Sequence, residues 1–463
     1  MPIARAMPVT LSLLLALGCA SGVERELLTN VDNVIAEGNP QQAVSYLAEH
    51  GETAYGDRNR LLFHMDVGMA LHLAGDYRKS AGQFEKADQL GADLYTRSLT
   101  SEAGALVTND LMIPYAGEEF ERVLVNVFAA LDYLFLGEIE EALVEVRRIS
   151  ARLHSYRESS TGRYQADGFA LYLSGLLYEM AGAADDARIA YDKAWAAYTA
   201  GAETFGTPPP PELARDLVRL SMATGLEPAP KVLAAAGAAD ASGPTGELVV
   251  LHYFGPGPRK IERVVEVSLS RGMAMAQTME VRTDEDKSLQ QSLSAVKGIA
   301  FENQVTVAYP VFEQPPLAAR QADVRVAGCG EATSSPVVNI SRLAQVNLED
   351  RMERDLGRMV ARAILKFVAA RAAGAVAEQL TNNSGLGALV KILSQGAASA
   401  TEAADIRGWR TLPATIHMTR LRCRAGLYAL EVLHYGGQAG TRNHSFQVEI
   451  KDGQKSFLVV TTY

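Results

Sequence analysis

The sequence predicts an α+β protein: an N-terminal α-helical repeat domain, then a β-rich domain carrying an Ala-rich helical insert. Three observations predict it. Small, glycine and aromatic residues recur in one frame through the N-terminal half. Alternating apolar residues replace that frame in the C-terminal half. A stretch rich in Ala, Gly and Pro separates the two. The implied boundaries are a leader over 1–18, repeats over 19–226, a linker over 227–246 and a β-rich domain over 247–463, with its insert at about 341–405.

The chain has 463 residues, room for two or three domains, and 48% of them are hydrophobic. Its 44 basic and 54 acidic residues leave a net charge of −10, which argues against a nucleic-acid partner. Three cysteines are too few for a disulfide-stapled scaffold.

The leader comes first. Arg5 precedes an apolar run from Val9 to Leu17 that is too short to span a bilayer. The run ends in Leu15-Ala16-Leu17-Gly18-Cys19, which resembles a bacterial lipobox, although Ala16 stands where Leu is usual. That resemblance implies cleavage before Cys19, acyl chains on Cys19 and a membrane anchor. Ala20 and Ser21 follow without an Asp, which by resemblance to Gram-negative sorting implies the outer membrane, periplasmic side. An ordinary secretory signal is the alternative.

The repeats follow. From Leu61 to Leu90, Gly68 and Ser80 stand where two helices of a hairpin touch, Gly75 where the chain turns, and Phe84 and Ala87 behind them. The frame recurs with Ala130, Tyr133, Gly137, Ala142 and Ile149, and again with Gly175, Tyr178, Gly182, Ala187, Tyr191 and Ala194. A weaker copy uses Val31, Gly38, Ala43 and Leu47. These residues resemble tetratricopeptide repeats. The long gap from Gly75 to Gly137 implies an extra helix over Leu94–Val107 and a loop over Leu111–Glu118.

In that register the concave groove is lined by Leu62, Met65, Met69 and His72, then Leu124, Val127, Leu131 and Leu134, then Phe169, Tyr172 and Leu176. The lining is apolar and lacks the Lys and Asn that clamp a peptide carboxylate. Leu62, Met65, Met69, Leu124, Val127, Leu131, Phe169, Tyr172 and Leu176 are therefore candidates for contact with a partner's apolar helix. The other occupant is the chain itself, through Leu94–Val107 or its C-terminal half.

Pro208 to Pro211 open a last helix over Glu212–Thr224. Beyond the linker, strands are expected at Glu247–Phe254, Gln304–Phe312 and Ala322–Ala327. A final antiparallel run is expected at Ala414–Cys423, Tyr428–Tyr435, Ser445–Ile450 and Ser456–Thr462. The insert comprises helices at Asn347–Leu380 and Leu386–Ala404. On the first, Met359, Ala363, Phe367 and Ala370 share one face and Arg351, Arg354, Arg358 and Arg362 another. This is a helical layer with solvated arginines, or else a basic surface for anionic lipid.

Chemistry is sparse. Gly255-Pro256-Gly257-Pro258-Arg259-Lys260 lacks the amides and the following Ser or Thr of a phosphate loop, and reads as a turn. Eight histidines show no metal-ligand spacing, and no cofactor motif is present. Glu118, Glu119 and Glu121, with Glu138, Glu140, Glu141 and Glu145, could serve a glycosidase, but most stand at helix starts, where acids favour the dipole. Glu145 with Arg147 and Arg148 reads as a solvated face. Cys329 and Cys423 stand near strand ends of one domain. An oxidising compartment would let them pair, and spacing alone does not decide it.

Tyr115-Ala-Gly-Glu-Glu-Phe-Glu-Arg122, Ala130 to Leu134, Glu141 to Arg148 and Asp405-Ile-Arg-Gly-Trp-Arg-Thr-Leu-Pro413 resemble an uncharacterised family of repeat-containing bacterial lipoproteins. The resemblance implies an envelope location, no established activity, and the company of lipoproteins that assist peptidoglycan synthases. The expected function is a non-catalytic, periplasm-facing outer-membrane scaffold for other envelope proteins, with no metal or cofactor. The alternatives are a peptidoglycan-binding or wall-modifying protein and an assembly factor for an export or surface machine.

Overall fold

Repeated helical hairpins build the first half of the computed structural model, which describes residues 25–100, 111, 113–159, 162–237, 246–279, 281, 284–295, 304–378, 403–438 and 440–463. The hairpins are α1 (Arg25–Ala36) with α2 (Pro40–Tyr55), α3 (Arg60–Leu73) with α4 (Tyr77–Thr100), α5 (Glu119–Phe135) with α6 (Ile139–Ser159), and α7 (Gly168–Met180) with α8 (Ala184–Phe205). Helices α9 (Pro211–Ala223) and α10 (Pro230–Ala236) end the array. This half repeats one hairpin frame, as the recurring residues predict.

The recurring residues explain the hairpins. Gly38, Gly75, Gly137 and Gly182 turn the chain with φ of 77–79°, a conformation that side chains with a Cβ resist. A Cβ at Gly175 would lie 2.3 Å from the Tyr191 ring, and one at Gly68 2.6 Å from Phe84. The Ser80 hydroxyl donates to the Gly68 carbonyl at 2.8 Å, tying the same crossing.

Two local differences from the sequence reading follow. Helix α4 runs unbroken to Thr100, so it absorbs the start of the separate helix expected over Leu94–Val107; the rest of that segment lies outside the described residues. The expected tether at 227–246 begins with α10, opened by Pro230 at its first turn.

The second half is a sandwich. Strand β1 (Gly246–Phe254) is followed by β2 (Arg259–Ser268), α11 (Leu269–Thr278), α12 (Asp284–Ala295) and β3 (Gln304–Glu313). Next come β4 (Ala319–Val326), β5 (Gly330–Thr333), β6 (Ser335–Asn339), α13 (Ile340–Glu378), β7 (Thr415–Cys423), β8 (Gly426–Gly436), β9 (Arg442–Ile450) and β10 (Lys455–Thr462). One sheet has the order β10-β1-β7-β6 and the other β5-β4-β8-β9. Strand β10 runs parallel to β1; the remaining pairs are antiparallel.

The last four strands are therefore not one antiparallel run. Strands β7 and β10 join β1, while β8 and β9 join β4. Burial explains the split. Every residue of β1 is buried, because Val249, Leu251 and Tyr253 face the helical array while Leu248, Val250 and Phe254 face the second sheet. Strand β8 alternates buried and exposed residues, as an outer-layer strand must. The three layers are helical array, inner sheet and outer sheet.

A third body stands beside them. The β2–β3 ribbon, α11, α12 and α13 share a core of their own, which includes Val267, Met279, Leu293, Val307, Val360 and Ile364. The arginines of α13 are not solvated as a face. Arg351 pairs with Glu118 and Asp355, Arg354 with Asp355 and Arg358 with Asp286, and Arg362 is buried. The insert's second expected helix lies almost wholly outside the described residues. No described helix is long and apolar enough to cross a membrane.

A disulfide joins Cys329, after β4, to Cys423, at the end of β7, and so staples the outer sheet to the inner one across a separation of 94 residues. On chain-entropy grounds, Cys329→Ser with Cys423→Ser should lower the unfolding free energy by about 5 kcal/mol in denaturant titration. Gly175→Ala should cost about 2 kcal/mol, because the facing Tyr191 is fully buried and its hydroxyl is held by Glu179 at 2.8 Å. A shift in the same titration checks that figure.

Candidate functional site

The concave groove of the array is expected to hold either a partner's apolar helix or the chain itself, and the structure decides between them. Leu62, Met65, Met69, Leu124, Val127, Leu131, Phe169, Tyr172 and Leu176 are all buried. They share one apolar core with Val249, Leu251 and Tyr253 of β1, Ile416 and Met418 of β7, and Trp409. The groove is thus closed by the chain's own inner sheet and by the strap of residues 403–412 that leads into β7. A partner helix has no room there. The earlier contact role for these nine residues gives way to an internal one, because an apolar wall of this size is buried by the nearest apolar surface available.

The strap is anchored residue by residue. The Trp409 ring packs against Phe84 and Phe128, with centroids 5.8 and 5.9 Å away. The Trp409 amide donates to Glu121 Oε1 at 2.8 Å, and its indole Nε1 donates to Thr411 Oγ1 at 3.0 Å. Thr411 Oγ1 in turn donates to Asp66 Oδ1 at 2.8 Å, and the Tyr55 hydroxyl donates to Asp66 Oδ2 at 2.7 Å. Burial pushes the Asp66 carboxyl up to about 6. Arg407 stacks over the Tyr115 ring and donates to the Ile113 carbonyl at 2.9 Å, while Arg410 pairs with Asp32.

Two buried charge clusters flank the strap. At one end, Glu118 accepts from Lys260 of β2 and Arg351 of α13. Burial pushes the Glu118 carboxyl up, but the two cations more than offset that and hold it at about 2. Glu121, beside it, accepts from the Tyr115 hydroxyl at 2.6 Å and the Glu118 amide at 2.9 Å; burial and the Glu118 charge push it up. The two carboxylates do begin a helix, but they are also the junction between the array, the ribbon and α13.

At the other end, Arg420 of β7 pairs with Asp216 of α9 and Glu247 of β1, and its Nη1 donates to the Tyr172 hydroxyl at 2.6 Å. Lys455 bridges Glu247 and Glu179 at 2.8 and 3.1 Å, and Arg219 joins Glu179 and Asp216. Three cations face three carboxylates. Burial raises Asp216, and Arg420 overrides it to hold the group at about 2. Midway, His72 Nδ1 lies 2.6 Å from Asp132 and Nε2 lies 3.2 Å from the Tyr253 hydroxyl, again joining array to sheet.

Glu145 is buried rather than solvated. It accepts from Asn126 Nδ2 at 2.9 Å and pairs with Arg148, and burial pushes its carboxyl up to about 7. A cleft of about 670 Å³ remains beside the strap, lined among others by Leu28, Phe120, Arg259, Ile261, Phe312 and Trp409. Among the described residues no group of three His, Cys, Asp or Glu could hold a metal ion. Cys19 lies outside the described residues. Cys329 and Cys423 are joined, as described above.

Sequence reasoning missed Asp216, Arg420, Lys260 and Arg407 as junction residues. Their partners are distant: Arg420 and Asp216 are 204 residues apart, and Lys260 and Glu118 are 142. The one available signal was Trp409, in a chain with two tryptophans, inside the quoted Asp405–Pro413 motif.

No protein-family model matches the chain, and no curated protein matches it. Among solved structures, MamA (residue 41 to its end) from Desulfovibrio magneticus RS-1 is similar at 16% identity, covering 43% of this chain and 84% of that one, with a TM-score of 0.28. A Podosopora anserina kinesin light chain with nearly identical TPR-like repeats matches at 16% identity over 43% of this chain and 86% of its own, with a TM-score of 0.29. Likenesses this distant assign neither family nor partner.

Removing one member of a buried charge cluster strands the others. Arg420→Met should lower stability by about 3–5 kcal/mol, and adding Asp216→Asn should recover at least about 1 kcal/mol. Chemical denaturation of the single and double variants checks both figures.

Proposed function

We propose that the chain is a non-catalytic protein-interaction scaffold of the cell envelope, anchored through acyl chains on Cys19 to the outer membrane and facing the periplasm. The observation that carries the scaffold reading is the junction. The helical array, sandwich and ribbon are held in one body by buried, mutually paired charges, which spend the conspicuous ionisable groups on architecture. Such a body presents several fixed faces at once. Large apolar side chains stand exposed on three of them: Met222 (62%) at the end of the array, Val264 (61%) on the ribbon and Leu427 (70%) on the outer sheet. The Cys329–Cys423 disulfide supports a compartment outside the reducing cytoplasm.

The wall-modifying alternative loses Glu118 as a carrier, since that carboxylate is buried between Lys260 and Arg351. A buried carboxylate kept ionised by two cations has no proton to give a glycosidic oxygen.

Photo-crosslinking residues placed at Met222, Val264 and Leu427 in cells, with Cys19→Ser as the unlipidated control, test the scaffold. The expected outcome is a small, reproducible set of envelope proteins captured from at least one face and lost in Cys19→Ser. Capture of glycan fragments alone, or of nothing from any face, would overturn it.

A further inference from the structure

Four histidines from four strands meet between the two sheets of the sandwich. His252 of β1 and His417 of β7 are register partners in the inner sheet. His434 of β8 and His444 of β9 belong to the outer sheet. His252 Nδ1 and His434 Nε2 lie 3.1 Å apart, a hydrogen bond from sheet to sheet. His252 Nε2 is 2.9 Å from Thr419 Oγ1, His434 Nδ1 bonds to Thr462 Oγ1, and His417 Nδ1 is 3.3 Å from Ser334 Oγ. The Phe254 ring stands edge-on to His417 and His434, at 5.0 and 5.1 Å.

We propose that this histidine group is an acid-operated latch: protonation parts the two sheets at the histidine end, while the Cys329–Cys423 disulfide holds them together at the other. The hydrogen-bond inventory carries the argument. The His252–His434 bond needs one ring to donate and the other to accept. Hydroxyl partners can adapt to one extra proton on the pair. A second proton sets N–H against N–H and breaks the bond between the sheets.

The surroundings offer no compensation. Strand β9 contributes Arg442 and His444, both unfavourable to a further cation. Around the pair, β4 presents apolar Ala322 and Val324, β10 presents Val460 and Thr462, and β7 presents His417 and Thr419. Among the described residues none of the four histidines is in an ion pair. The disulfide is at the opposite end, since Cys423 stands six positions along β7 from His417, about 20 Å of strand.

The sign follows. Burial holds the His417 ring down at about 4, and burial, His444 and Arg442 hold His434 down at about 3. Unfolded histidine titrates near 6.5. The closed state's advantage is therefore whole above about pH 6.5, and shrinks as pH falls towards 4 and then 3. Glu118 and Asp216 stay ionised to about 2, so the array–sheet junction outlasts the latch.

Hydrogen exchange of the full, oxidised chain from pH 7.5 to 3.5, corrected for intrinsic rates, tests this. Peptides of β4, β8 and β9 should lose at least about tenfold protection reversibly below about pH 5, while α5 to α8 keep theirs. His417→Gln with His434→Gln should move that loss to lower pH. If that variant does not fold, histidine-ring NMR of the wild-type chain serves: the His434 ring should stay neutral through pH 5, well below the 6.5 of an unfolded histidine. Unchanged protection of the outer sheet, loss in step with the helices, an unmoved transition in the variant, or a His434 ring that titrates near 6.5 would each overturn the latch.

Discussion

An apolar concave wall that the helical array cannot bury by itself is the constraint on which the rest of this structure depends. Hairpin stacking buries the contacts between neighbours and leaves the inner surface open. Left bare, that surface would drive association. Here the inner sheet covers it, and the consequences propagate. The strand at the centre of the cover must be apolar on the side facing the helices. Its other side then also needs cover, which the outer sheet supplies. The run Gly246–Phe254 is buried on both faces for this reason, and the sandwich exists because the array needs a lid that is itself well packed.

Apolar contact fixes little about direction, and a sheet could slide over an apolar groove with small change in buried area. The charge clusters at the two ends of the contact remove that freedom. Asp216, Glu247 and Glu179 meet Arg420, Lys455 and Arg219 in one register only, and Glu118 meets Lys260 and Arg351 in one register only. Buried pairs are poor sources of net stability, yet stranding one member is severe. The asymmetry makes them suited to specifying the docked arrangement, with the apolar wall supplying the free energy.

The parts of the fold legible in sequence were those set by local sterics. Gly68, Gly75, Gly175 and Gly182 announce close helix crossings and left-handed turns within one hairpin, so short-range spacing sufficed. Strand β1 was legible from the apolar residues gathered between Glu247 and Phe254. Strand β2 was not, because Arg259-Lys260-Ile261-Glu262-Arg263 is mostly charged; its residues are drawn into a strand by pairing with β3, from Arg259 opposite Glu313 onwards. Helices α11 and α12 were missed for a similar reason: they acquire their apolar partner only once α13 lies against them. The groove lining was legible, and its occupant was legible only as one of two alternatives, the chain's own C-terminal half; the residues of that half that reach it were not. Trp409 and Tyr253 reach it from parts of the chain that no local pattern connects to Phe128. The four sandwich histidines span residues 252 to 444 and become a group only through strand pairing.

The arginines of α13 show how the same residues change meaning with context. On a helix taken alone, Arg351, Arg354, Arg358 and Arg362 form a basic stripe of the kind that lies on anionic lipid. In the folded chain Arg351 is spent on Glu118, Arg358 on Asp286, and Arg362 is enclosed. Drawing them to a lipid surface would strand buried carboxylates and break the junction that orders the molecule. That penalty exceeds the gain from surface contact, about 1 kcal/mol per basic residue near an anionic bilayer. Any membrane attachment of this chain therefore falls to the proposed acyl chains on Cys19, which ask nothing of the packed core, and this helix remains a structural strut between the ribbon and the helical array.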